Sequence, residues 1–415
     1  MTIRRRGAGY VLTGTLISDG AACPDSVVAV LGDRIVYAGP RSGFEASDLP
    51  DAEEVDLPDG SSILPGLVDL HCHGAAGGDF PAGDIVGCRA AVDYLHRNGT
   101  TTLLASLVTS APEDLLRGVR TLRQLADEGL IAGIHSEGPF LSYARCGAQN
   151  PEWLRDPDHE LLRLMIHEAG GWLKTMTYAP ELPGADRLVS ALIENGVTPS
   201  LGHTDADASV ATASLEGAAA GLALWERQTA RPTVTHLFNG MPPMHHRKPG
   251  PVASCLRLAN AGRVAVELVA DGIHLAPGTV QMVFQLVGAD NVVLVTDSMA
   301  AAGLPDGDYR LGRSAVSVQA GMATLQGTGT LAGGTATLLA VVRRTIEAGV
   351  SRAEAVAAAT CVPARLLGLE AEVGSLRAGM RADLVVVDRH FGLVTVMRGG
   401  EEISATRLLG HEAVG

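Results

Sequence analysis

The stretch "ILPGLVDLHCHG", residues 63–74, runs from an apolar segment into three side chains able to bind a metal: His71, Cys72 and His73. Residues 63–71 have the nearly unbroken apolar composition of a strand buried on both faces. Successive side chains on a strand face opposite ways. His71 and His73 therefore point together, and Cys72 points away, toward a helical layer, as a small buried hydrophobe rather than a ligand. A lone histidine at a strand end is ordinarily just a polar terminus. The pair gains meaning only from what the rest of the chain supplies.

Seven further runs of this kind follow, at residues 101–108, 131–137, 173–180, 197–203, 233–239, 264–272 and 292–298. Helical stretches separate them. Several close on a glycine just before the next strand (Gly99, Gly129 and Gly196), where a left-handed helix cap is expected. Eight such units in order predict an α/β fold, a (β/α)8 barrel of the TIM type. An open doubly wound sheet is the rival. No GxGxxG follows the first strand and no GxxxxGK[ST] occurs, so its nucleotide-binding versions lose support.

The two ends of the chain read differently. "YVLTGTLIS" and "SVVAVLGDRIVYAGP" near the start, and "GSLRAGMRADLVVVD" and "LVTVMRGGEEI" near the end, have strand composition. Gly32-Asp33 sits where a tight hairpin would turn. Both ends are expected to form short antiparallel strands, packed as one small β-sandwich from residues 1–62 and 368–415 around a barrel spanning 63–367.

Bulk properties narrow the classes. Aromatic residues make up only 4%, so Ala, Val, Leu and Gly must fill the core. The formal charge of −14 argues against a nucleic-acid or anionic-membrane partner. The six cysteines are scattered without a CxxC, as expected of free thiols in a reducing compartment. No long apolar core follows the basic start "MTIRRRGAGYVLTG", and no run of about 18 apolar residues occurs, so neither a signal peptide nor a membrane span is expected. These features predict a soluble cytoplasmic protein.

Chemistry collects at the C-terminal ends of the proposed strands. The first carries His71 and His73, the third Glu137, the fifth His203, the sixth His236, the seventh His274 and the eighth Asp297. In a barrel these ends converge on one mouth, where active sites lie. Imidazole nitrogen with carboxylate oxygen is a ligand set for zinc, iron or manganese.

At these residues the sequence resembles the N-acetylglucosamine-6-phosphate deacetylases of the amidohydrolase superfamily. The matching stretches are "PGLVDLHCHG" (65–74), "HSEGPFL" (135–141), "SLGHT" (200–204), "THLFNGMPPMHHRKPG" (235–250), "ADGIHL" (270–275), "VTDSMAAAG" (295–303), "GTLAGG" (329–334) and "RADLVVVD" (381–388). The resemblance implies hydrolysis of the acetamide of a phosphorylated amino sugar, in amino-sugar catabolism. It implies that Glu137, His203 and His236 hold the main divalent metal, zinc first, with iron and manganese as alternatives. His71 and His73 match the HxH of two-metal members, which implies a second metal with Glu137 bridging. Asp297 is implied as the general acid/base and a ligand. Asn239, the amide of Gly240 and Arg247 are implied to engage the sugar phosphate, Arg247 by reaching across a homodimer interface, and His274 to contact substrate.

One departure stands out. In "RCGAQNP" (145–151), Gln149 occupies a place where the family often carries histidine. Glutamine donates a hydrogen bond but cannot carry a positive charge. Either it performs a weaker version of the same task or a second metal substitutes for it. Cys146, in the same loop, reads as a bystander. His135 shares the face of Glu137 and suggests a supporting role behind the ligands. The cluster His245, His246, Arg247 and Lys248 reads as a solvated loop from charge alone, and as a phosphate site from its place after the sixth strand. Lys174 starts its strand rather than ending it, so it is no carboxylated-lysine bridge, which weakens a dihydroorotase-like alternative. A catalytically inactive sugar-phosphate-binding barrel is the rival from another class. No GxSxG elbow supports a serine nucleophile.

Overall fold

The computed structural model describes residues 9–45, 47, 49, 51–224 and 231–403. The basic start at 1–8 and the end of the chain at 404–415, both included in the terminal domain expected from sequence, lie outside the described residues.

β1 (Tyr10–Ser18), β2 (Ala21–Leu31), β3 (Arg34–Pro40), β4 (Glu53–Val55) and β5 (Ser62–Pro65) open the chain. The barrel begins with β6 (Leu67–Cys72), followed by a small hairpin of β7 (Gly74–Ala75) and β8 (Gly78–Asp79). It continues through α1 (Ile85–Arg97), β9 (Thr100–Val108), α2 (Pro112–Asp127), β10 (Gly133–Glu137), α3 (His159–Ala169), β11 (Leu173–Tyr178) and α4 (Ala185–Glu194). β12 (Thr198–Leu201), α5 (Ala208–Leu224), β13 (Thr233–Val234), α6 (Gly250–Asn260), β14 (Ala265–Leu268), α7 (Pro277–Val287) and β15 (Val292–Leu294) complete it. A three-stranded antiparallel insertion follows: β16 (Gly307–Leu311), β17 (Ser314–Gln319) and β18 (Met322–Leu325). Then come α8 (Leu338–Glu347), α9 (Arg352–Ala358), α10 (Cys361–Leu367), β19 (Leu384–Val387), β20 (Leu393–Arg398) and β21 (Glu401–Ile403).

The eight barrel strands pair in parallel in chain order, from β6 through β9 to β15. The ring closes where Cys72 bridges Ser298 in parallel, with Asp297 N–H donating to His71 O (2.9 Å) and His73 N–H to Ser298 O (2.7 Å). That closure excludes the open doubly wound rival. The glycines after α1, α2 and α4 cap as expected, with φ of 96° at Gly99, 73° at Gly129 and 75° at Gly196. No helix among the described residues is long and apolar enough to cross a membrane.

Three expectations change. First, the run 63–71 is two strands in two sheets. β5 pairs with β19 and β1 in the terminal sheet, and β6 pairs with β9 in the barrel. The chain crosses between them at Gly66, whose N–H donates to Asp383 O (2.8 Å) and where a Cβ would stand 2.1 Å from Thr101 Oγ1. Only glycine permits that approach. Second, the terminal strands are neither uniformly short nor uniformly antiparallel. β2 spans 11 residues, and β1 runs parallel to both β4 and β5 within one eight-stranded sheet. The Gly32-Asp33 hairpin turn stands as read. One set of the terminal sheet's side chains, including Leu12, Val28, Ile35, Ile63 and Leu384, forms a core of its own. The other set, including Ile17, Leu64, Val385 and Val396, joins the main core of the barrel and its helices. Third, the later barrel strands are shorter than read. β12, β13 and β15 stop two or three residues before His203, His236 and Asp297.

The barrel lumen is polar, which the sequence reading missed. Ser106 Oγ meets His135 Nδ1 (2.9 Å), His135 Nε2 meets Thr177 Oγ1 (2.8 Å), and Thr177 Oγ1 meets Thr235 Oγ1 (2.8 Å), which meets Ser200 Oγ (2.6 Å). A buried network of this kind is stable only when every member finds a partner, and then it fixes each side chain. His135 takes the supporting place expected of it. Burial, and then the charge of His71, holds its pKa well below the ordinary value. A neutral ring serves the network by donating at one nitrogen and accepting at the other.

Candidate metal centre

His203, His236 and Asp297 have left-handed backbones, with φ of 47°, 29° and 48°. Non-glycine residues adopt this region at a cost and gather in it at functional sites. Here it ends the strand ladder and turns each side chain over the mouth. β6 supplies His71, with His73 directly after it, and β10 ends on Glu137.

These residues form two groups. Donor atoms of Glu137, His203 and His236 lie within 4.8 Å of one another, as do those of His71, His73 and Asp297. Glu137 Oε1 is 2.9 Å from His203 Nε2 and 2.8 Å from His236 Nε2. Its Oε2 is 3.2 Å from His73 Nε2 and 3.8 Å from His71 Nε2, so one carboxylate faces both groups. Asp297 Oδ1 is 3.4 Å from His71 Nε2 and 3.3 Å from His73 Nε2.

The outer ring nitrogens show what the inner ones require. His73 Nδ1 faces Ser106 O (3.3 Å), and His203 Nδ1 faces Arg145 O (2.8 Å). Carbonyls only accept, so each Nδ1 carries the hydrogen. His71 Nδ1 faces Glu267 Oε2 (3.4 Å) and is protonated for the same reason. Neutral His71 and His73 would then direct bare Nε2 lone pairs at each other across 3.0 Å. His203 would likewise oppose a lone pair to Glu137. A cation between them resolves all of these conflicts, and the outer acceptors on His71, His73 and His203 are the usual support of a metal-bound histidine, whereas His236 Nδ1 has no hydrogen-bond partner among the described residues. The donor set and its geometry fit a divalent metal in each group.

The ionisation pattern records the same demand. Burial alone would lower the pKa of His71, but the charges of Asp297 and Glu137 lift it well above normal. Burial and the hydrogen bonds to Asp297 and Glu137 leave His73 raised to about 9. Burial opposes ionisation of Glu137, yet the His203 and His71 charges hold its pKa well below the ordinary range. Asp297 is likewise depressed, burial being overcome by His71 and His73.

A cavity of about 160 Å³ opens onto these groups, and Gln149, Asn239, Gly240 and His274 also line it. Thr109 N–H donates to Gln149 Oε1 (2.7 Å), which turns the Gln149 amide nitrogen to Glu137 Oε2 (2.6 Å). Gly240 is obligatory, since a Cβ there would meet His203 Nδ1 at 2.8 Å. His274 is fixed by Asp271 through Nδ1 (2.8 Å), and its Nε2 lies 3.9 Å from Asp297 Oδ2. Cys72 faces away, with Sγ 3.1 Å from Ser298 Oγ, and burial pushes its thiol pKa far up. Cys146 is half-buried in the turn whose carbonyl receives Gln149 N–H. Lys174 sits at the start of β11 and donates to Gly171 O, remote from the mouth. Arg247 is exposed, bonds to His246 Nε2 (2.7 Å) and does not line the cavity of its own chain.

Two carboxylates escaped the sequence reading. Glu267, in β14, holds His71 Nδ1 and lies 3.3 Å from His236 N. Asp69 accepts from Thr296 Oγ1 (2.7 Å) and His71 N (3.2 Å), joining the first ligand strand to the segment that carries Asp297. Both were visible as single acids inside otherwise apolar runs, "VAVELVADG" and "LVDLH".

An eight-stranded parallel barrel with paired imidazole–carboxylate clusters at its mouth defines a metal-dependent hydrolase class. The chain belongs to the amidohydrolase family, whose model matches residues 62–403. It is 35% identical over 364 residues to N-acetylglucosamine-6-phosphate deacetylase of Bacillus subtilis, covering 84% of this chain and 87% of that one. It is 32% identical to N-acetylgalactosamine-6-phosphate deacetylase of Escherichia coli O157:H7, over 83% of this chain and 89% of the relative. A solved N-acetyl-D-glucosamine-6-phosphate deacetylase mutant from Mycobacterium smegmatis, in complex with N-acetyl-D-glucosamine-6-phosphate, superposes with a TM-score of 0.86. It is 37% identical, over 96% of this chain and all of that one.

Proposed function

We propose that this chain hydrolyses the acetamide of N-acetylglucosamine 6-phosphate to acetate and glucosamine 6-phosphate. The observation that carries this is the meeting of two donor triads, Glu137, His203 and His236 with His71, His73 and Asp297, at one small cavity that all of them but His71 line. Glu137, His203 and His236 would hold one divalent metal, and His71, His73 and Asp297 a second, with Glu137 facing both. Zinc is the first choice, and iron and manganese are the alternatives. Such a metal lowers the pKa of water toward about 7 and acts as a Lewis acid on the amide carbonyl.

The chain's own groups do the rest. Asp297, held ionised, takes a proton from the attacking water and delivers it to the leaving amine nitrogen. The C–N bond breaks, water's oxygen joins the acetyl carbon, and the amine leaves neutral. Gln149 keeps one amide hydrogen for the substrate carbonyl, the other being committed to Glu137. His274, locked by Asp271, offers Nε2 to the sugar. Asn239 and Gly240 face the phosphate end. Arg247 completes it from a second copy of the chain in a homodimer, which accounts for its exposure here. A phosphorylated sugar is too polar to cross a bilayer unaided, which favours a cytoplasmic location, as do the unpaired cysteines.

The test is acetate release from N-acetylglucosamine 6-phosphate and its galacto isomer, with metal analysis of the same preparation. Metal-loaded protein that releases no acetate from either would favour the inactive sugar-binding barrel. Arg247→Glu is expected to raise KM for the phosphorylated sugar by at least about tenfold. An equal effect on the unphosphorylated sugar would count against a phosphate contact.

A further inference from the structure

Leu311 ends β16, and the turn beyond it is tied to the barrel on two sides. Gly312 N–H donates to Asp79 Oδ2 (2.8 Å), and Arg313 pairs with Asp114 (2.5 Å). So anchored, the Leu311 side chain is 5% exposed and forms part of the catalytic cavity wall beside Ala148. A second cavity, also about 160 Å³, lies on the other side of that wall, lined by Thr109, Ser110, Arg117 and Trp153 among others. Among the described residues, Leu311 and Ala148 are the two that line both cavities. Leu331 is the other leucine of the catalytic lining but does not line the second cavity, and most of the rest is imidazole, carboxylate, amide or glycine. The proposed substrate has one apolar end, the acetyl methyl, and an apolar wall is where such a group loses least on leaving water.

Resting on the deacetylase reading above, we propose that Leu311, backed by Ala148, is the residue that sets acyl length. The acetyl methyl packs against it, and a longer acyl chain needs the space behind it. Substituting a smaller side chain joins the two cavities and admits the longer chain.

The test compares kcat/KM for N-acetyl-, N-propionyl- and N-butanoylglucosamine 6-phosphate, by amine release, in metal-loaded wild type, Leu311→Ala, Leu311→Val and Leu311→Met. The propionyl-to-acetyl ratio should rise at least about tenfold in Leu311→Ala, the usual scale of methylene discrimination. It should rise less in Leu311→Val and hold in Leu311→Met, which conserves volume. Should Leu311→Ala fail to fold, the valine variant still reads the effect. Unchanged ratios in the folded smaller variants overturn the proposal, as does a wild type that already treats the three substrates alike. A wild type inert toward all three sinks the deacetylase reading and this inference with it, whereas an active wild type with flat variant ratios overturns the inference alone.

Discussion

His71 and His96 are both buried in the same barrel, at opposite ends. At the mouth, His71 is surrounded by Glu137, Asp297 and Glu267, and these acids drive its pKa well above normal against the effect of burial. At the floor, His96 lies in the last turn of α1, 6% exposed, with Nε2 lacking a hydrogen-bond partner among the described residues. Burial, then the charges of Arg398 and Arg381, push its pKa down to about 3. Both arginines belong to the terminal-sheet side: Arg398 donates to Thr101 O (3.2 Å) and Gly129 O (2.7 Å), and Arg381 to Thr102 Oγ1 (3.2 Å). One residue type thus meets a demand for positive charge at one end and a refusal of it at the other. The mouth is built to take a cation, and the floor is sealed.

The largest break in this contrast would come at Glu137, the carboxylate facing both donor groups. Glu137→Ala is expected to lose most bound metal and at least about a hundredfold in amide hydrolysis, exceeding the loss typical of a supporting residue behind a ligand. Full metal content in that variant, measured by elemental analysis, would mean the mouth binds its cation elsewhere. Asp297→Asn comes next. Turnover should fall by roughly 10²–10⁴, while metal at Glu137, His203 and His236 and substrate affinity persist. A variant that hydrolysed at near wild-type rate would remove Asp297 from proton transfer.

The smallest effect concerns the floor and is read in stability. Between about pH 6.5 and about 3, the unfolded chain protonates His96 while the folded chain refuses the proton. The unfolded state therefore binds more protons in that window. Folding stability falls as pH drops through it, by up to about 1.4 kcal/mol per pH unit from this group. His96→Leu should remove that share, so the gap between variant and wild type in urea unfolding should narrow or reverse from pH 7.5 to pH 5. A constant gap would mean that His96 takes up its proton as readily in the fold as in the unfolded chain.

The barrel was legible because its evidence is periodic and repeated: eight apolar runs, glycine-ended helices and polar residues at the same end of each strand. The same regularity hid its irregularities. "ILPGLVDLH" carries no interruption that distinguishes two strands from one, since Gly66 is read as a sheet crossing only when Thr101 and Asp383 are seen against it. His203, His236 and Asp297 were read as strand residues because nothing in their local sequence marks the left-handed backbone each adopts. The Ser106–His135–Thr177–Thr235 chain joins residues 29 to 58 positions apart, a relation visible only in three dimensions. Leu311 went unremarked for the same reason: it reaches the mouth from an insertion beyond the last barrel strand.

The crossing at Gly66 also bears on how the chain is made. β5 is flanked in its sheet by β1, some forty-five residues earlier, and by β19, more than three hundred residues later. At a synthesis rate of about 5–20 residues per second, that second neighbour emerges from the ribosome tens of seconds after β5 does. Through that interval the first ligand strand is tethered to a sheet edge with no partner. The open edge of β5 therefore waits long for its partner, and is a place where a chaperone would have much to protect.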